Sequence, residues 1–390
     1  MSFAAALSTA LDSRQAVDEV CREAGRQLGE ARPDLAVVFY SPHHADSAGP
    51  IARLLHGRLQ PRCLIGCLGE SIVGNRREIE ADPGLSLWLG EWNGKASLEP
   101  FHLVMSETSE GISLLGWPDG LLDADPKRSL LLTFGDPYTF PTAEIFLPRV
   151  NDDHPGLAIA GGMASNPTGP NTNSLILNDE VVAEGAVGVL LAGEFSWRSV
   201  VSQGCRPIGR PLVVTKGHEN IVMELSGQQP LTYLQSLYNQ LSSPDRALFE
   251  RGLLIGVAIT EYRDTFQRGD FLIRNLLGID RGSGAMAMSD RVRVGQTLQF
   301  QIRDSASADE DLKVMLQTQR GAGLRAQGGL LFTCNGRGTK MFSEPNHDAG
   351  TIQNELGPLP LAGFFAAGEL GPVGGRNFIH GFTASALFFE

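Results

Sequence analysis

Two glutamates each stand directly after a glycine at the end of an apolar run. Glu70 closes Leu64-Ile65-Gly66-Cys67-Leu68-Gly69-Glu70, and Glu369 follows Leu361-Ala362-Gly363-Phe364-Phe365 and Gly368. A carboxylate in such a place is either a turn residue facing water or a group held by donors in a pocket. In open α/β sheets ligands collect at strand carboxyl ends. Asn335-Gly336-Arg337-Gly338 follows another apolar run and sets an always-charged, planar guanidinium between two flexible glycines. Gly161-Gly162 ends a further run, and glycine-rich bends of this kind expose N–H groups that can hold an anion. His380 interrupts the apolar stretch Phe378–Phe382, where a buried imidazole needs a hydrogen-bond partner, as a satisfied core residue or as part of a pocket. Arg337 and the glycine-rich bends are donors for an anionic group such as a carboxylate, and Glu369 is an acceptor for a cationic one. The candidate ligand-binding residues are therefore Glu70, Gly161, Gly162, Asn335, Arg337, Gly368, Glu369 and His380.

Glu369, His380 and Arg337 also form an acid, a base and a cation, the set that proton transfer or hydrolysis of a small polar substrate would use. No nucleophile in the chain has a recognisable activating context, and no catalytic residue is assigned. There is no Walker A sequence. Gly321-Ala322-Gly323-Leu324-Arg325-Ala326 fits a dinucleotide fingerprint in letters only, because it follows a helix and precedes a strand, the reverse of the required order. In Gly69–Gly74 the second glycine falls one place too far for a hydrolase elbow. Cys63 and Cys67 share a strand face without a histidine or a second cysteine pair, and read as small core residues. No metal and no cofactor is expected.

The elements that must position these residues are strands and helices in alternation. A helix is predicted from about Asp12 to Gln27, stopped near Gly29. Buried strands follow at 35–40 and 63–67, with a short helix around 50–59 between them and an alternating strand at 85–89. A similar order recurs at 130–134, 141–150 and 157–160, where strands 174–178 and 186–191 are expected to pair around Asn178-Asp179. It recurs again at 329–334, 347–356, 361–365 and 378–389. About 30 residues separate the first two strands of each set, as a strand–helix–strand crossover requires. The first and third sets share a Gly-Glu bend, which points to an internal repeat. The expected fold is mixed α/β, with repeated strand–helix–strand–strand units in two tightly packed, sheet-containing halves. Glycine and proline interrupt the periodicity at 193–211, which divides the chain into an N-terminal helical segment 1–29, a domain 30–200 and a domain 201–390.

The 390 residues carry 44 acidic and 32 basic side chains, a formal charge of −12. A field of that sign disfavours nucleic acid and anionic membrane surfaces as partners. Apolar residues make up 42% and charged residues 19%, proportions of a globular chain with a large interior. Five scattered cysteines form no disulfide framework. The N-terminus lacks the basic and apolar regions of a secretion signal, and no stretch approaches a membrane span. A cytoplasmic location is expected.

At Leu64–Glu70 with Pro83-Gly84-Leu85-Ser86-Leu87, and more firmly from Gly329–Gly338 through Leu361–Phe365 and Gly368-Glu369 to His380-Gly381-Phe382-Thr383-Ala384, the chain resembles FIST-domain proteins over about residues 30–385. The resemblance implies a sensory module of signal transduction that binds a small ligand, an amino acid or a related polar metabolite. Some members of the family carry an output domain or an F-box. Here only about 30 residues precede the first strand of the resemblance, so signalling is expected to pass to a separate partner protein. The family supplies no established catalytic residues. An enzyme and a protein-interaction scaffold remain the alternative readings; an exposed apolar patch would favour the scaffold, and a closed pocket with perturbed carboxylates the other two.

Overall fold

The computed structural model describes residues 1–108, 111–166, 168–262, 265–266 and 269–390. The chain forms two compact units, one of residues 1–201 and 312–390, the other of residues 202–311. It is a mixed α/β protein. Among the described residues no helix is long and apolar enough to cross a membrane.

In the first unit one order of connections, from a helix-linked pair of strands through a short hairpin to a returning strand, occurs three times. The first motif runs β1 (Ser2–Ser8), α1 (Ser13–Leu28), β2 (Leu35–Tyr40), α2 (Ala48–Leu59), β3 (Cys63–Leu68), the hairpin β4 (Ile72–Gly74) and β5 (Arg77–Ile79), then β6 (Leu85–Glu91). The second runs β7 (Ala96–Thr108), β8 (Gly111–Leu115), β9 (Ser129–Gly135), α3 (Leu147–Asp153), β10 (Ala158–Met163), the hairpin β11 (Leu175–Leu177) and β12 (Glu180–Val182), then β13 (Ala186–Gly193). The third opens with β14 (Trp197–Gln203) and is interrupted by the second unit. That unit holds β15 (Cys205–Pro207), β16 (Leu212–His218), β17 (Ile221–Leu225), α4 (Pro230–Gln240), α5 (Ser243–Arg251), β18 (Leu253–Ala258), β19 (Phe271–Ile279), β20 (Met286–Met288) and β21 (Thr297–Arg303). The third motif resumes with α6 (Ser305–Gly321), β22 (Gly328–Cys334), α7 (His347–Leu356), β23 (Leu361–Ala366), the hairpin β24 (Glu369–Val373) and β25 (Arg376–His380), and ends on β26 (Thr383–Phe389).

Each motif lays its two helix-linked strands parallel (β2–β3, β9–β10, β22–β23) and returns the last strand antiparallel to the first of them (β6, β13, β26). The short hairpin does not stay at home. β4–β5 of the first motif joins β23 of the third, β11–β12 of the second joins β3 of the first, and β24–β25 of the third joins β10 of the second. Three sheets result, with the orders β1-β6-β2-β3-β11-β12, β8-β7-β13-β9-β10-β24-β25 and β14-β26-β22-β23-β4-β5. Each motif thus completes the sheet of another in a closed cycle.

The inner faces of all three sheets contribute to one apolar core that includes Phe39, Phe134, Phe332 and Phe364. The rings of Phe39, Phe134 and Phe332 lie 5.2, 6.3 and 5.9 Å apart as pairs, offset and edge-on as aromatic quadrupoles prefer. The outer faces pack on helices: β2 and β3 on α1 and α2, β9 and β10 on α3, β22 and β23 on α6 and α7. Strands buried on both faces read as continuous apolar runs, which is why their positions were legible. Gly66, Gly161 and Gly363 hold matching places in β3, β10 and β23. At each of them a Cβ would run into the carbonyl oxygen of the adjacent parallel strand, at Val38, Thr133 and Leu331 respectively.

The second unit is a closed antiparallel barrel in the order β21-β16-β17-β20-β19-β18, with β18 pairing back to β21. Leu212, Val214, Val222, Ile255, Met286 and Phe300 help fill it, with Leu234 and Leu237 of α4 packed against them. The chain enters this unit within the 193–211 segment that the sequence marks, and leaves it inside α6, where nothing interrupts the helical pattern.

Three local expectations change. Residues 2–8 form an edge strand, paired with β6 from Ser2↔Glu91 to Ser8↔Leu85; their alanine-rich sequence carries no strand signal of its own, and pairing supplies it. The turn at Asn178-Asp179 joins β11 to β12, while residues 186–193 pair with β7 and β9. The Gly-Glu bends of the first and third motifs are not equivalent. Strand register matches Glu369 with Ile72 and Leu175, since Gly162, Phe364 and Cys67 are their respective partners.

Candidate ligand-binding site

Glu369 begins β24, paired on one side with Gly162 and on the other with His380. Its counterparts Ile72 and Leu175 are buried in the central core, and Glu369 is buried as deeply. One carboxyl oxygen, Oε2, accepts from the Thr383 backbone N–H at 3.2 Å and from the Thr383 hydroxyl at 2.7 Å. The other, Oε1, is buried with no oxygen or nitrogen donor among the described residues, the Cys334 thiol being the carboxyl's further neighbour. Burial pushes the carboxyl up to about 8, against the Thr383 hydrogen bonds, the nearby Arg337 charge and the Cys334 thiol. Glu369 is therefore mostly protonated at neutral pH.

Cys334 ends β22 beside Glu369. Burial, and after it the Glu369 charge, push this thiol up to about 12. It stays a thiol at neutral pH and is a poor nucleophile. The bends adjoining these residues, Asn335-Gly336 and Gly381-Phe382, are only half-buried. Phe382 adopts φ 60°, a left-handed conformation that costs a bulky residue about 1–3 kcal/mol and that clusters at functional sites.

Arg337 is fully buried and committed elsewhere. Its Nε and Nη2 donate to the two oxygens of Asp348 at 2.8 and 2.7 Å, a bidentate pair, and Nη1 donates to the Phe382 carbonyl at 3.4 Å. Burial alone would raise the Asp348 carboxyl; the Arg337 charge and hydrogen bonds and the bond from His347 outweigh it and hold the group well below the usual carboxylate range. Thr333 also donates its hydroxyl to Asp348, at 2.6 Å. The Phe342 ring lies under the guanidinium, 5.2 Å from its carbon, and stacks on His347 with centroids 3.4 Å apart. The assignment of Arg337 to a ligand carboxylate gives way to this ion pair: its strongest donors are spent inside the protein.

The hairpin of the first motif closes this end of the third. Glu78 of β5 accepts from the Ala349 backbone N–H at 2.8 Å, in the first turn of α7, where a carboxylate satisfies an orphan donor. Burial and the Asp348 charge push Glu78 well up, and its second oxygen has no partner among the described residues. Glu80 accepts from the Thr339 backbone N–H and hydroxyl at 3.0 and 2.7 Å. Glu70 pairs with Lys340 at 2.5 Å, and Lys340 also donates to the Asn335 carbonyl at 3.1 Å.

Of the eight predicted residues the structure brings Asn335, Arg337, Gly368 and Glu369 to one strand end, with Glu70 joined to it through Lys340. Gly161 and Gly162 lie inside β10, where they let strands approach rather than offer free N–H groups to an anion. His380 is buried, and its Nε2 pairs with the Gly371 carbonyl at 3.0 Å. Four surface clefts, the largest about 820 Å³, contain none of the eight. Sequence reasoning missed Cys334, Thr383, Glu78 and Asp348. Asp348 alone carried a signal: it stands four residues before Ile352, on the buried stripe of α7.

The FIST N domain model matches residues 34–228 and the FIST C domain model residues 231–372. FIST domains are generally sensory and signal-transduction domains. The uncharacterized protein Mb0898c of Mycobacterium bovis is 42% identical over 392 residues, covering 100% of this chain and 99% of its own. The uncharacterized protein Rv0628c of Mycobacterium tuberculosis is 41% identical over 391 residues, covering all of both chains.

Proposed function

The chain belongs to the FIST family, and from that premise we propose that it is a sensor of a small polar metabolite, an amino acid or a close relative, which it reads at the third-motif strand end and reports to a separate partner protein in the cytoplasm. One observation carries the reading. Among three structurally matched positions two hold the aliphatic side chains of Ile72 and Leu175, and the third holds Glu369 with an unpartnered buried oxygen. A buried polar atom without a partner costs about 1–3 kcal/mol, and a ligand donor at Oε1 would remove that cost. The half-buried bends beside Cys334 and Thr383, and the strained Phe382, are the segments that would admit it. The high, buried Cys334 thiol speaks against a cysteine-based enzyme.

The test is mass spectrometry of small molecules that survive gentle purification, on the wild type and on Glu369→Leu. A polar metabolite enriched at close to one per chain in the wild type and lost from the variant is the expected result. Equal retention by both moves the site elsewhere, and no retained metabolite in either removes the sensor reading.

A further inference from the structure

We propose that Glu369 is the receptor for a ligand ammonium group and that docking of this group drives a proton off the carboxyl into solvent. This rests on the sensor reading above and names the half of the ligand that the third-motif site recognises. The anchoring of Glu369 is asymmetric. Thr383 donates two hydrogen bonds to Oε2, which suits an ionised carboxylate, while Oε1 has no oxygen or nitrogen donor among the described residues and the carboxyl's one other neighbouring donor is the weak Cys334 thiol. Arg337 is neutralised by Asp348 and Lys340 is engaged by Glu70, so neither cation is left to compensate an ionised Glu369.

The groups facing Glu369 are Cys334 from β22, Thr383 from β26, His380 from β25 and, at longer range, Arg337; β10 presents only Gly161 and Gly162 in register. Cys334 stays a thiol, and His380 is bonded to Gly371. Burial is the largest influence on the Glu369 carboxyl and holds the proton in place. An ammonium group within hydrogen-bond reach reverses that balance, because an opposite charge favours the ionised form. The exchange conserves charge: the neutral carboxyl and R–NH3+ give a carboxylate–ammonium pair and one proton, which the buffer takes up.

Three matched sets of compounds test this on the full chain: L-amino acids, the corresponding amines without the carboxylate, and the N-acetyl amino acids without the ammonium group. Amino acids and at least one amine should raise the melting temperature, and the N-acetyl set should not. Calorimetry of the best amine at pH 7, in phosphate and in Tris, should report release of close to one proton, with affinity rising up to about tenfold per pH unit between pH 6 and 8. Glu369→Gln should release no proton and bind about ten- to a hundredfold more weakly, with an unchanged circular-dichroism spectrum. Binding by the N-acetyl set but not the amines overturns this proposal and leaves the sensor reading standing. Amine binding without proton release, or with full affinity in Glu369→Gln, also overturns it. Silence from all three sets overturns both for this ligand class.

Discussion

The strand ends of the three motifs share one backbone and differ in what fills it. In the first and second, the hairpin positions that face the core and the neighbouring sheet hold Ile72 and Leu175. Val181 of the second motif's hairpin and Ile379 of the third's occupy the place where the first motif's hairpin has Glu78. Only at the third strand end do both classes of position carry carboxyl groups, Glu369 and Glu78, on either side of the Arg337–Asp348 pair. The aliphatic version completes an apolar core at no electrostatic cost. The carboxylate version leaves two oxygens without an oxygen or nitrogen donor among the described residues and makes two carboxyl groups weaker acids than usual. One scaffold therefore supports both versions, so the polar one reflects a use of that end rather than a need of the fold.

The comparison breaks most severely at Arg337. Arg337→Met leaves Asp348 buried without its cation and should cost about 3–5 kcal/mol, read as a lower urea midpoint at unchanged slope. A loss below 1 kcal/mol would mean that the pair is not part of the folding core. Glu369 gives a pH-dependent effect of the next size. Its carboxyl is raised when folded, so its contribution is fully present below the unfolded value near 4.5 and is lost as pH rises towards about 8. The wild type should lose up to about 1.4 kcal/mol per pH unit across that window from this group. Glu369→Gln, which mimics the protonated form, should match the wild type near pH 4.5 and exceed it at pH 8; parallel curves for the two proteins would refute the buried, neutral carboxyl.

Gly66→Ala, Gly161→Ala and Gly363→Ala probe the shared backbone rather than the difference. Each forces a Cβ against a neighbouring carbonyl, so each should cost about 1–3 kcal/mol. Gly161, at φ 136°, should be the most sensitive. Costs that differ widely between the first and third motifs would weaken the structural equivalence. Lys340→Ala should do least: the pair with Glu70 is half-exposed, and its loss should change stability by no more than about 1 kcal/mol.

Much of this was readable before the structure. The runs at 35–40, 63–67, 130–134 and 329–334 are buried strands, as their continuous apolar character indicates. Glu369 stood out because a charge beside an apolar run demands an explanation. Glu78 did not, because Arg77-Glu78-Ile79 is an unremarkable polar stretch until β5 is placed against β23 and α7. Arg337 was recognised as unusual and given the wrong partner, since the acid that claims it lies eleven positions on, across a loop.

What the sequence determined by itself was local: which segments are apolar enough to be strands, where glycine and proline end them, and that acids outnumber bases. Those are properties of neighbours along the chain. Only the tertiary structure decided which hairpin completes which sheet, and with it whether each glutamate faces water or the interior. Burial and charge pairing are set by residues brought together from distant parts of the chain: Glu78 meets the α7 N-terminus 271 residues away, and Glu369 is buried against Gly162 of the second motif by a strand exchange that no local pattern encodes.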